Sequence, residues 1–289
     1  MFANLFGKFL IDNEYLTPDQ FLQIKLAEDK TRVKLGLIAV SEKLMTEAQT
    51  EKVNRKQMLE DRRFGDIAIE LGFLTNLQVE RLLSLQGNPY MQFCQTVTDR
   101  GFMTLQQIED TIQEFQKENS FTASDIEDIK SGDIDRILPI YLPEAIGKNV
   151  SDLLSVAVRC ANRFVSNDIS VARGYITNSY TTIMGAAQST TDGFLCQTIV
   201  SGDEKGMLAV AEGFGKEFFD EVSIEALDSV GEFVNIVNGL FATAKSQEGI
   251  EIELAPPEFL REPATIKGDI CVLPITVNQE YVDLVIKVG

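Results

Sequence analysis

The chain carries two regimes of hydrophobic patterning. Up to about residue 117, apolar residues recur at helical spacing in short blocks, and each block is followed by one polar signature. "LTPDQ", "MTEAQ", "LTNLQ" and "MTLQQ" set Thr17, Thr46, Thr75 and Thr104 at a constant interval of 29 residues, each with a glutamine three positions on. T-x-x-Q is a capping box: the hydroxyl accepts from the third helical N–H, and the glutamine reaches back to the threonine's own N–H. Pro18, at a first helical position, belongs to the same start signal. Ahead of each cap stands a shorter apolar segment, such as Phe64–Gly72, ended by a glycine where the chain must turn. The pattern predicts four stacked copies of short helix, tight turn and longer helix, an all-α repeat domain over residues 1–117. Residues 118–143, acidic and weakly periodic, read as a linker with room for short local structure.

From residue 144 the pattern changes. Residues 144–164 predict one long amphipathic helix. "DISVARGYI", "SYTTIMGAAQ" and "GFLCQTIVSG" are rich in β-branched and aromatic residues and read as successive strands. "EKGMLAVAEGFG" reads as a helix ending at glycine, and a longer helix follows from about Ile224 to Ala244. "GIEIELAPPEF", "ATIKGDICVLPITV" and "QEYVDLVIKV" read as closing strands, the last alternating cleanly. The order predicts an α+β domain over 144–289, with long helices packed on an antiparallel sheet.

The Ile224–Ala244 helix has two opposed faces. At about 100° per residue, Asp228, Glu232, Asn235 and Gly239 fall within one narrow stripe, at roughly 0°, 40°, 340° and 20°. Ala226, Val230, Phe233, Val234, Val237, Leu240 and Phe241 fall opposite and form a core-seeking face. The apolar face accounts for the helix; the stripe is the candidate chemistry.

Composition narrows what that chemistry can be. The 289 residues include no histidine, so Ser-His or Cys-His nucleophile pairs and histidine metal sites are excluded. Four cysteines, at 94, 160, 196 and 271, lie far apart without CxxC spacing, as expected of free buried thiols in a cytoplasmic protein. No apolar run approaches a spanning helix, and the start lacks a signal cleavage site, so no membrane insertion is expected. The net charge of -18 argues against DNA or RNA as partner. Residues 1–90 carry only -1, which leaves -17 on the rest. Gly213 and Gly215 in "EGFGK" miss the spacing of a phosphate loop and read as a helix end.

Two resemblances give these patterns content. The segments Lys34–Gln57 and Arg63–Gln86 are equal in length and separated by five residues. They resemble the paired motifs of the MshEN domain of type II secretion and pilus ATPases, a domain that binds c-di-GMP. The resemblance implies contacts to c-di-GMP from Lys34, Leu35, Gly36 and Gln57, and from Arg63, Phe64, Gly65 and Gln86. In that reading the glycines admit a phosphate, the cations pair with it, and the apolar second residue lies against a purine. The chain departs from the motif at Lys34, which replaces arginine, and at Lys43, which stands for a glycine. Further departures in the outer repeats are Leu5, Glu28, Gln92 and Gln116. The alternative is a helical platform whose caps and glycines serve only the fold.

D-x3-E-x2-N on a helix in this α+β order, with Pro256 and Pro257 bracketing the proline expected about 22 residues later, resembles the CheC/CheX/FliY phosphatases of bacterial chemotaxis. Only one such helix is present, so the likeness is to CheX. The resemblance implies dephosphorylation of the aspartyl-phosphate of a CheY-type response regulator, which supplies its own Mg2+; the chain would need no cofactor of its own. Asn235 would orient the attacking water, Glu232 would pair with a lysine of the regulator, and Asp228, Gly239 and Pro257 would support the motif. Association into a homodimer through the C-terminal domain is a further expectation. A non-catalytic adaptor that binds c-di-GMP or a regulator is the alternative, whereas a purely structural repeat protein leaves the stripe without a purpose.

Overall fold

The computed structural model describes residues 1–28 and 31–289, and the side chain of Glu28 lies outside the described residues. The chain divides into two compact units, one of Phe2–Gly132 and one of Asp133–Gly289.

The first unit is helical. α1 (Phe2–Asp12) is followed by α2 (Pro18–Glu28), α3 (Leu35–Ser41) by α4 (Glu47–Glu60), α5 (Phe64–Glu70) by α6 (Asn76–Ser84), and α7 (Pro89–Asp99) by α8 (Leu105–Glu118). The second helix of each pair begins at a capping threonine. Thr17, Thr46, Thr75 and Thr104 each accept from the N–H of the glutamine three residues on and donate their own N–H to that glutamine's side chain, the latter at 2.8 Å in all four. Glycine in the first helix lets the pair close up. A Cβ on Gly7 would meet the Phe21 ring at 2.0 Å, one on Gly36 the Thr50 methyl at 2.5 Å, and one on Gly65 a Val79 methyl at 2.8 Å. Phe2, Phe6, Phe9, Tyr90, Phe93 and Phe115 pack as an aromatic core, with neighbouring rings tilted or edge-on at several contacts.

The segment read as a linker is folded. Its acidic surface hides apolar positions at helical spacing: Phe121, Ile126 and Ile129 are buried, and Ile137 and Leu138 likewise. α9 (Ala123–Ser131) starts at a fifth capping box, Thr122 with Asp125, and ends at left-handed Gly132. It belongs to the first unit, whereas α10 (Ile134–Tyr141), which carries Pro139, opens the second.

The expected helix from 144 starts later, as α11 (Lys148–Cys160) with Gly147 as its cap, and runs into one π-helical turn, Ala161–Val165. Seven strands follow: β1 (Ile169–Val171), β2 (Tyr175–Thr182), β3 (Met184–Ser189), β4 (Cys196–Gly202), β5 (Glu258–Leu260), β6 (Ala264–Val277) and β7 (Glu280–Val288). The first stretch read as a strand is β1 plus the start of β2, and the second is the end of β2 plus β3. "GIEIELAPPEF" holds only a single bridge, Leu254 with Thr190, before the short β5. All pairings are antiparallel, in the order β1-β6-β7-β4-β3-β5, with β2 also paired to β6. α12 (Glu204–Gly215) and α13 (Ile224–Gln247) stand between β4 and β5 in sequence and pack on the sheet. α12 ends at Gly215, with Lys216 left-handed, so the "EGFGK" segment is a helix end. The opposite face of the sheet has its own apolar cluster, of Ala187, Ile199, Ile270, Val272 and Val285.

Candidate functional site

α13 is positioned by its apolar face. Ser223 caps it, accepting from Ala226 N–H, and Ala226, Val230, Phe233, Val234, Val237 and Phe241 are all buried. Leu240 departs from the expected face and stands half-exposed, because it lies at the rim of the apolar arc. Ser229 ties the helix to α12 through a 2.9 Å hydrogen bond to the Ala211 carbonyl.

With that face down, the stripe turns outward. Asp228 and Glu232 are exposed, Asn235 and Gly239 half-buried. Among the described residues Asp228 and Glu232 have no hydrogen-bond or ion-pair partner, so both carboxylates are available to an incoming group. A Cβ built on Gly239 would meet nothing within 4 Å. Pro257 stands behind the stripe: a Cβ on Gly231, one turn before Asn235, would lie 3.3 Å from Pro257 Cβ and 3.1 Å from the Phe259 ring. The proline and β5 thus clamp the helix at its glycine.

Asn235 differs from the two acids in being tied down. Its Oδ1 accepts from Gln188 Nε2 at 2.8 Å. Gln188, on β3, also donates from Nε2 to the Ala255 carbonyl at 2.8 Å and accepts at Oε1 from Asn238 Nδ2 at 2.8 Å. Asn238 Oδ1 in turn accepts from the Thr198 hydroxyl on β4 at 2.7 Å. A line of buried amides therefore runs from the sheet, under the helix, to the one half-exposed amide of the stripe. The sequence pattern singles out neither Gln188 nor Asn238. Their signal is an amide at the border of an apolar helix face and a glutamine in a strand of otherwise small residues.

The stripe lines none of the described cavities. A cavity of about 450 Å³ opens at the N-terminal end of α13, lined by Glu221, Ser223, Leu227 and Arg261 among others, and none of the stripe residues lines it. Such a surface suits a macromolecular partner better than a small ligand, which needs a concave site. Among the described residues no group of three or more His, Cys, Asp and Glu side chains is placed to hold a metal ion, and no helix is long and apolar enough to cross a membrane.

The residues expected to contact c-di-GMP have occupations within the first unit. Gly36 and Gly65 are filled by Thr50 and Val79, and Phe64 is buried at 8% exposure beside Gly36, so its ring is not free to lie on a purine. Gln57 donates to the Arg62 carbonyl at 3.0 Å, Gln86 to the Val33 carbonyl at 2.7 Å, and exposed Lys34 pairs with Asp99 at 2.9 Å. Leu35 is half-buried and Arg63 exposed. A cavity of about 480 Å³ in this unit is lined by Gly36 and by none of the other seven; it holds Thr50, whose buried hydroxyl has no partner.

Residues 181–269 match the family model of the chemotaxis phosphatase CheX. The matched span holds the whole stripe, Gln188, Thr198, Asn238 and both prolines. No curated protein matches the chain. Among solved structures, the chain is similar to the chemotaxis protein CheX from Vibrio vulnificus, at 16% identity over 50% of this chain and 100% of that one, with a TM-score of 0.44. It is similar to the CheX-CheY-BeF3-Mg+2 complex from Borrelia burgdorferi, at 16% identity over 49% of this chain and 97% of that one, TM-score 0.43. A third similarity is to Thermotoga maritima FliY, at 16% identity over 48% and 84%, TM-score 0.33.

Proposed function

We propose that the second unit is a protein aspartyl-phosphate phosphatase acting on a phosphorylated CheY-type response regulator. The observation that carries this reading is the exposed, unpartnered Glu232 one turn from a half-exposed Asn235 held by the sheet, on a helix inside the span that matches the CheX family model. The chemistry asked of the chain is small. Water attacks phosphorus, the bond from phosphorus to the aspartyl oxygen breaks, and inorganic phosphate and a free carboxylate leave. The regulator brings the electrophile and its Mg2+, and phosphoryl transfer is governed by positioning and by charge stabilisation. Asn235 contributes an amide that holds the water in line. Glu232 docks against a regulator lysine, and exposed Asp228 adds negative charge to the same approach, which favours a cationic rim on the partner. Gly239 leaves the helix backbone open to close approach.

The test is single-turnover loss of phosphate from a receiver protein labelled on its aspartate by a small phosphodonor. Wild type is expected to speed the loss, with Asn235→Ala reducing the rate at saturation and Glu232→Ala weakening binding. A wild type that binds the phosphorylated receiver without speeding hydrolysis replaces this reading with the adaptor. Control of the reaction by c-di-GMP is a proposal resting on the resemblance of the first unit alone, with exposed Arg63 as the cation available to a phosphate.

A further inference from the structure

The donor and acceptor ends of the buried amides are fixed by one backbone group. A carbonyl only accepts, so the Gln188 atom 2.8 Å from Ala255 O is its NH2. The same nitrogen lies 2.8 Å from Asn235, whose atom there is therefore the oxygen. Gln188 Oε1 then requires a donor from Asn238, and the remaining oxygen of Asn238 takes the Thr198 hydroxyl. Gln188 is 2% exposed, Asn238 1% and Thr198 3%. Turning any one amide over would set N–H against N–H or oxygen against oxygen where no water can compensate. The carbonyl that sets the direction is itself held. Ala255 N–H donates to Ser189 O at 2.9 Å, and Pro257, two residues on, packs against Gly231.

We propose that Gln188 is a positioning residue that, backed by Asn238 and Thr198, holds Asn235 with its oxygen turned to the sheet and its N–H pair turned outward. The proposal rests on the reading of Asn235 as the group that orients the attacking water. It specifies how: Asn235 meets the water as a donor, its N–H engaging one lone pair of the water oxygen and leaving the other directed at phosphorus. A free amide would sample both orientations, and half of them would present the wrong end. The amide is thus preorganised in the sense that matters for rate, since its orientation is settled before the regulator arrives.

The experiment uses the full chain with three readouts. In wild type, both side-chain N–H groups of Gln188 are expected to exchange with solvent far more slowly than those of Asn235, because both are buried donors; exchange at solvent rate would overturn the proposal without any variant. Gln188→Met keeps length and removes polarity. It is expected to lower the rate at saturating regulator by about tenfold or more, the loss of one positioned hydrogen bond, with KM unchanged. It is also expected to shift the Asn235 side-chain amide resonance, which is assigned by its disappearance in Asn235→Ala. A folded Gln188→Met with unchanged rate and an unmoved resonance sinks the proposal. The two levels fail separately. A wild type without phosphatase activity removes the reading of the site, while the exchange and resonance measurements still decide the orientation of Asn235.

Discussion

Gly239 and Gly231 lie on one helix and make opposite predictions for one substitution. Gly239 is interior to α13, sixteen residues in, and its backbone is ordinarily helical. A glycine there costs roughly 1 kcal/mol relative to alanine, because the unfolded chain loses more freedom on folding. In most helices a packing reason offsets that cost, and here there is none: a Cβ meets nothing within 4 Å. Gly239→Ala is therefore expected to stabilise the second unit by about 0.4–1 kcal/mol, or about 2–4 °C at most for a unit of this size. Gly231→Ala places the same methyl 3.1 Å from the Phe259 ring and 3.3 Å from Pro257 Cβ. The clamp must give way, so that variant is expected to be neutral at best and to cost about 1 kcal/mol where Pro257 and Phe259 resist.

Scanning calorimetry of the full chain, with hydrogen exchange of α13 peptides to assign the transition, reads both variants. Greater protection of α13 in Gly239→Ala and less in Gly231→Ala is the expected pair. A Gly239→Ala that loses stability refutes the reasoning, since the space above the helix would then not be open. If Gly239→Ala is stabilised yet dephosphorylates the regulator more slowly, the bare backbone is kept for the partner, and the helix gives up stability to admit it.

Three further outcomes follow from the same structure. Thr75→Ala removes the hydroxyl arm of a capping box, the acceptor for Gln78 N–H, and is expected to cost about 1 kcal/mol, read as a lower denaturation midpoint; no change would mean that the cap is frayed in solution. The four thiols are buried, and burial pushes Cys94 up to about 12 and Cys196 and Cys271 up to about 11. Raised pKa values leave thiolate scarce below them, about one part in a thousand at pH 8 for Cys196 and Cys271 and less for Cys94, so native protein is expected to resist alkylation at pH 8 while unfolded protein labels at all four. Fast labelling of folded protein would contradict the packing. If c-di-GMP binds the first unit, titration calorimetry gives heat with wild type and none with Arg63→Ala, and silence from both leaves that unit a helical platform.

Local signals were legible and long-range ones were not. The threonine caps and, Leu240 apart, the two faces of α13 are each encoded within a few residues and stand where the pattern puts them; the glycine helix ends hold at left-handed Gly72 and Gly101, whereas Glu14 and Lys43 take that conformation in the first two repeats. The misread linker shows the limit. Thr122 is capped by Asp125 instead of a glutamine, so α9 breaks the T-x-x-Q signature, and its acids mask the apolar positions that bury it. The glycines of the repeats were ambiguous because a residue needed for a ligand's approach and one needed for a helix's approach are the same residue; only Thr50 and Val79 across from Gly36 and Gly65 separate the two. The strand order, with β6 shared among β1, β2 and β7, has no local signature.

The amides beneath α13 fall outside the sequence reading for a physical reason that bears on the site itself. A stripe is found by asking which polar residues face water, and Asn238 and Gln188 face each other. Glu232 and Asp228 need only be exposed, a condition that many helices meet and that specifies no geometry. For the proposed role Asn235 needs an orientation, which one helix cannot supply because a helix fixes the backbone and leaves the terminal amide free to turn over. The orientation has to come from across the interface, from a residue whose own amide is already fixed. That residue is on β3, and the group that fixes it is a carbonyl before two prolines, 20 residues downstream of Asn235. Under the proposed role, the proline expected after the motif has a structural reason to accompany the asparagine: Pro257 packs against Gly231 two residues after the acceptor that decides which way the asparagine faces.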